Sequence, residues 1–140
     1  MSELRMQHYQ TITGEGETVH LEYDPDGDML EIFFEEGPAS GAIELAHPLI
    51  LRFNRETGKA LSLSILTFSQ VIQMTEFGPR SFQLYALQSL PDSLREMVVR
   101  MITTPPVSYF LKVVAYYPKA EHPPIPISYI ERSAALPLTA

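Results

Sequence analysis

The clearest order in the chain is an alternation of apolar and polar side chains with a period of two. Val19, Leu21 and Tyr23 alternate with His20, Glu22 and Asp24, and Leu30, Ile32 and Phe34 keep the same rhythm from Met29 onward. Such alternation marks strands with one buried face. A shift of one residue would turn every side chain to the other face, so the apolar pattern selects the register. A four-residue loop, Pro25 to Asp28, sets Tyr23 opposite Leu30, Leu21 opposite Ile32 and Val19 opposite Phe34. A second hairpin follows in "LILRFNRETGKALSLSI", where Leu49, Leu51 and Phe53 match Leu61, Leu63 and Ile65. That match places Arg55 opposite Lys59 across the loop Glu56-Thr57-Gly58, with glycine where positive φ is needed. "GAIELA" reads as a further strand turning at "AHP", giving five short antiparallel strands before residue 66.

The period then changes. Phe68, Val71 and Ile72, with Met74 or Thr75, form a short helical face over 67–75, ended near Gly78-Pro79. Leu94, Met97, Val98 and Met101 recur at helical spacing in a second helix predicted over 91–103. Pro91 suits its first turn, Asp92 complements its dipole and Pro105-Pro106 stops it. "VSYFLKVVAYY", Val107 to Tyr117, reads as one strand apolar on both faces: Phe110, Val114 and Tyr116 point opposite to Tyr109, Leu111 and Val113. "IPISYIE" reads as a proline-marked edge strand. A helix can cover one face of the two-faced strand. The second needs another helix, the first-half sheet, the segment "SAALPLTA" or a second copy of the chain. The expectation is a homodimer, with Phe110, Val114 and Tyr116 as the candidate interaction surface. The expected fold is α+β: a twisted antiparallel sheet from two β-hairpins plus two helices and a C-terminal strand pair. Residues 1–140 form a single domain, with 19–75 as the hairpin module and 76–140 as a helix and strand-pair extension.

Composition narrows the partners. A hydrophobic content of 45% over 140 residues suffices for one core. The absence of cysteine removes disulfides, thiolate metal sites and cysteine nucleophiles, and fits a reducing cytoplasm. No apolar stretch of signal-peptide type opens the chain and no run of about 18 apolar residues occurs. The expectation is a soluble, cytoplasmic protein with no membrane partner. The net charge of −7 is uneven: residues 1–70 carry 12 acidic and 4 basic side chains, residues 71–140 carry 5 and 6. Phosphate neutralisation needs clustered Lys and Arg, so nucleic acid is not expected as a partner. The PxxP spacing from Pro123 to Pro126 reads as a stiff loop rather than an SH3 ligand.

The densest chemistry is "YDPDGD". Asp24, Asp26, Asp28 and Glu35 fall at the first, third, fifth and twelfth places of an EF-hand loop, but Met29 stands at the sixth, which needs glycine, and strands replace the flanking helices. Pro-Asp-Gly is turn chemistry by itself, with glycine taking positive φ. The four histidines, His8, His20, His47 and His122, lack metal-ligand spacing. His20 shares the polar strand face with Glu22, and Glu31 is assigned to neither its face nor its register. His47, at a turn, could serve as a base, but no nucleophile is fixed beside it. Glu15/Glu17 and Glu35-Glu36 sit in loops and read as solvated charge. No catalytic, cofactor-binding or metal residue is assigned.

"YDPDGDMLEIFF", followed by "LILRFNRETGKALSLSILTFS", resembles the YuzE-like family of small, mostly bacterial proteins, the domain of unknown function numbered 2283. The likeness covers Leu21 to Ser69. Asn54 stands for the family's turn aspartate, Gly58 for its turn glycine and Ile65-Leu66 for its apolar pair, whereas Arg52, Ser64 and Thr67 stand where relatives commonly have acids. The resemblance implies a bacterial β-rich module without established activity, related to suspected antitoxin-like partners of small toxins. The functional expectation is a non-enzymatic protein-interaction module that self-associates and has a protein partner. The alternative is a small-molecule-binding or hydrolytic domain, with a pocket between sheet and helices lined by Tyr109 and Tyr116. An acidic mimic of nucleic acid is the third reading.

Overall fold

A computed structural model describes residues 6–12, 16–116 and 125–131, with Tyr116 described by its backbone alone. The alternating segments become β2 (Thr18–Asp24) and β3 (Met29–Phe33), paired as the apolar pattern requires, Leu21 with Ile32 and Tyr23 with Leu30. The turn between them spans residues 25–28. Its positive φ falls on Asp28 (φ 52) instead of Gly27. Gly27 serves a different need, because a Cβ there would come within 3.0 Å of the Asp24 carboxylate.

β4 (Gly41–Ala46), β5 (Leu49–Asn54) and β6 (Lys59–Ile65) complete the expected five strands. A sixth, β1 (Gln7–Ile12), pairs with β2. The sheet is antiparallel throughout, in the order β1-β2-β3-β6-β5-β4.

The second hairpin departs from the expected register at its tip. Leu49 meets Ile65 and Leu51 meets Leu63, but Phe53 meets Ala60 rather than Leu61, and Asn54 rather than Arg55 faces Lys59. Leu61 is the extra residue of a β-bulge. Asn54 explains the wider turn: its side-chain oxygen accepts the amides of Glu56 (2.8 Å) and Thr57 (3.2 Å), ending the strand one residue early. Gly58 has positive φ (70°), as expected.

Beyond β6 the helix expected over 67–75 is a single turn, α1 (Phe68–Val71). The next residues form a ribbon of β7 (Met74–Thr75) and β8 (Gly78–Pro79), leaving Met74 exposed. The Thr75 hydroxyl donates to the Gly78 carbonyl (2.8 Å) and accepts the Phe77 amide (3.1 Å), favouring a turn over a second helical turn. β9 (Phe82–Gln83) and a 3-10 turn at Tyr85–Ser89 lead to α2 (Asp92–Thr103), which matches its expected span and buries Val98, Met101 and Ile102.

Val107 to Phe110 corrects the expectation of one long strand. Val107–Tyr109 is a 3-10 turn, with the amides of Ser108, Tyr109 and Phe110 bonded back to Thr104, Pro106 and Val107. The strand β10 (Leu111–Tyr116) begins only afterwards, so Phe110 leaves the alternation and is buried. β11 (Ile125–Ile130) is not an edge strand. It lies between β10 and β9 in a three-stranded sheet.

One contiguous apolar cluster joins the inner face of the large sheet, through Leu21, Ile32, Leu51 and Leu63, to Phe68, Leu84, Val98, Phe110, Leu111 and Ile130. The fold is α+β, as expected. No helix is long and apolar enough to cross a membrane among the described residues.

Candidate functional site

The strand positions that alternate with the buried set line the outer face of the large sheet. Register aligns them in rows. His8, Glu22, Glu31 and Ser64 face one another across β1, β2, β3 and β6, and beside them run Gln10, His20, Phe33, Ser62 and Arg52. A cleft of about 960 Å³ opens over these strands, with residues of the 35–39 segment forming part of its wall.

Directly opposed residues of an antiparallel pair point to the same face. Glu22 pairs with Glu31, and His20 lies two residues from Glu22, so Glu31 shares the face of His20 after all. This corrects the sequence assignment. The same register that set Leu21 against Ile32 already implied it.

Arg52 organises the floor. Its Nη1 donates to the Ser64 hydroxyl (2.9 Å) and lies 3.8 Å from a Glu31 carboxylate oxygen. Arg52 and Ser64, from neighbouring strands, thus touch each other here. Burial pushes the Glu31 carboxyl above its ordinary range; Arg52 opposes that rise and the Glu22 charge adds to it. His8 faces Glu22 at 3.3 Å, and the Gln10 amide nitrogen lies 3.3 Å from His20 Nδ1. The histidines of the cleft thus engage Glu22 and Gln10, and the Ser64 hydroxyl oxygen accepts from Arg52.

The acidic loop does structural work. The Asp24 carboxylate accepts the Asp26 amide (3.0 Å). Asp28 accepts the Tyr23 phenol (2.7 Å), the Ser69 amide (3.0 Å) and the Ser69 hydroxyl (2.6 Å), while its carbonyl takes the Phe68 amide (2.8 Å). Its oxygens therefore hold α1 against the first hairpin. Among the described residues no three His, Asp or Glu side chains converge as metal ligands.

Of the candidate surface Phe110, Val114 and Tyr116, Phe110 is fully buried, with the Tyr109 ring edge-on at 5.2 Å, and belongs to the core. Val114 is 51% exposed. The Tyr116 side chain lies outside the described residues, as do His122, Glu15 and the Pro123–Pro124 part of the PxxP segment. β10 is an outer strand of its sheet, and its second edge meets no strand among the described residues. A second cavity, about 570 Å³, lies between the sheet end and α2, lined by Phe34, Lys59, Arg100, Met101 and Val107 among others. Tyr109 is not part of it. His47 is a surface residue 3.6 Å from Glu44.

The cleft was missed because β1 was missed: "QHYQTI" has only Tyr9 and Ile12 as large apolar residues, and they are not in phase. The available signal was Tyr9 and Thr11, two β-favouring residues at a spacing of two. Compared with family models, curated proteins and solved structures, the chain matches none.

Proposed function

We propose that this chain is a non-enzymatic protein-interaction module that self-associates through the free edge of β10. One observation carries the reading: six consecutive residues, Leu111–Tyr116, present an edge unpaired by any described strand. Such an edge is a template for another strand. Natural edges are often guarded by lysine, but the Lys112 ammonium is turned back onto the Ser108 carbonyl at 2.8 Å. Exposed Val114 supplies apolar surface beside the edge. A second copy of β10, antiparallel across a two-fold axis, satisfies both edges at once. The likeness to YuzE-like proteins supports a bacterial setting and an antitoxin-like role for the assembled module, and the absence of cysteine fits a cytoplasmic one.

Light scattering tests this. At micromolar concentration the expected mass is twice that of the 15.8 kDa chain. Val114→Asp, which sets two charges against each other at the symmetric edge, is expected to give the monomer mass with an unchanged far-ultraviolet spectrum. A monomeric wild type, or a dimer indifferent to Val114→Asp, would overturn the reading.

A further inference from the structure

The outer-face cleft lies on the large sheet, whereas the strand edge invoked above belongs to the three-stranded sheet, and its chemistry differs. Four carboxylates, Glu22, Glu31, Glu35 and Glu36, line it against the single guanidinium of Arg52, which is already engaged by Ser64 and adjacent to Glu31. Lys59 lies 3.5 Å from Glu35 but is not part of the lining. The half-buried Phe33 ring adds an apolar and cation-attracting surface to the floor. Glu31 sits where burial disfavours its charge, so an incoming cation would relieve a cost that the free protein carries. A second copy of the chain, net charge −7, is a poor occupant for a carboxylate-lined cleft.

Size decides between a small cation and a chain. The cleft runs over five neighbouring strands, β1, β2, β3, β6 and β5. Strands lie about 4.8 Å apart, so it is roughly 19 Å across, long enough for about six residues of extended peptide.

We propose that this cleft binds an extended, Lys- or Arg-bearing segment of another protein, its cations meeting Glu22, Glu31 and Glu36 and its apolar positions meeting Phe33. The acidic excess of residues 1–70 steers such a partner toward the same half of the molecule.

The test is fluorescence polarisation with a labelled peptide of about eight alternating lysine and alanine residues. It compares wild type with Glu22→Gln/Glu36→Gln and with Glu56→Gln/Glu76→Gln, a control of equal charge change at two exposed turns outside the cleft. Saturable binding that weakens about tenfold in the cleft variant and less than about twofold in the control is expected. Equal weakening in both variants would mean diffuse charge attraction and overturn the proposal, as would no saturable binding by wild type. Spermine competing as well per molecule as the peptide would also overturn it, by assigning the cleft to small cations. Val114→Asp is expected to bind the peptide like wild type, so failure of the self-association reading is separable from failure of this one.

Discussion

Asp28 joins three parts of the fold. It occupies left-handed backbone, where aspartate is better tolerated than most side chains, and its carboxylate is shared by Tyr23 of β2 and Ser69 of α1. Burial alone would raise its pKa, but the bonds from Ser69 and Tyr23 outweigh burial and hold it below the ordinary value. The folded carboxylate is thus favoured relative to the unfolded one. Its contribution is complete above the unfolded pKa of about 3.9 and is lost as pH falls through the lower folded value. Asp28→Ala is expected to cost about 2 kcal/mol in urea denaturation at pH 7, within the range for hydrogen bonds to a charged group, and to lose the charge-dependent part of this deficit in strong acid, keeping the backbone cost of alanine at positive φ. Burial, then the hydrogen bond and charge of Asp28 and the charge of Asp24, push the Tyr23 phenol up to about 12. Ultraviolet titration should show one phenol ionising near that pH and Tyr23→Phe should remove it. Glu31 behaves oppositely. Its raised pKa means that ionisation weakens the fold as pH rises from the unfolded value of about 4.3 through the folded one. Glu31→Gln is therefore expected to melt no lower than wild type at pH 7, with any gain vanishing below about pH 4 as the wild-type carboxyl takes its proton. A clear loss of melting temperature at pH 7 would contradict the assignment.

At the scale of elements, what was legible followed from periodicity and what was not followed from side chains bonding the backbone. The first hairpin's register was readable because Leu21, Leu30 and Ile32 bury, with Tyr23 partly buried beside them, only in one alignment. The second was readable at Leu51 with Leu63 but not at its tip, where Asn54 captures two amides and Leu61 bulges. The end of α1 is set by the Thr75 hydroxyl, and the late start of β10 by a 3-10 turn that apolar content cannot distinguish from a buried strand. Gly41 shows a neighbour's demand: a Cβ there would come within 2.5 Å of the Phe53 ring, which folds over it from β5. Arg95 joins two elements. Its guanidinium donates to the carbonyls of Leu87 (2.9 Å) and Leu90 (2.8 Å) and reaches the Asp92 carboxylate (3.1 Å), tying the 3-10 turn to α2. Arg95→Ala is expected to cost about 2 kcal/mol and to speed amide exchange over 85–90 while leaving the large sheet protected. Slowed or unchanged exchange there would show that the turn is held by its apolar side chains, such as buried Leu87, instead.

Across the whole molecule the architecture was legible and the site was not. Two hairpins, a helix over 91–103 and a late strand pair are elements whose apolar faces can be counted, and a single core cluster unites them. The cleft depends on β1, whose polar sequence carries almost no periodic signal, and on cross-strand neighbours that arise only once register is set. The candidate surface shrank for a related reason: Phe110 turned inward with the 3-10 turn, leaving Val114 and the backbone edge. Self-association through that edge makes a specific demand on hydrogen bonding. β11 satisfies one side of β10, and under the proposal the amides on the other side, which no described strand pairs, become bonded in the assembly. β10 contains no proline, and its six amides can all be followed by hydrogen exchange. The most direct measurement is exchange at Leu111–Tyr116 as a function of protein concentration. Protection of alternate amides rising with concentration, and lost in Val114→Asp, is the result expected here. Exchange independent of concentration, with those outward amides unprotected throughout, would contradict the account.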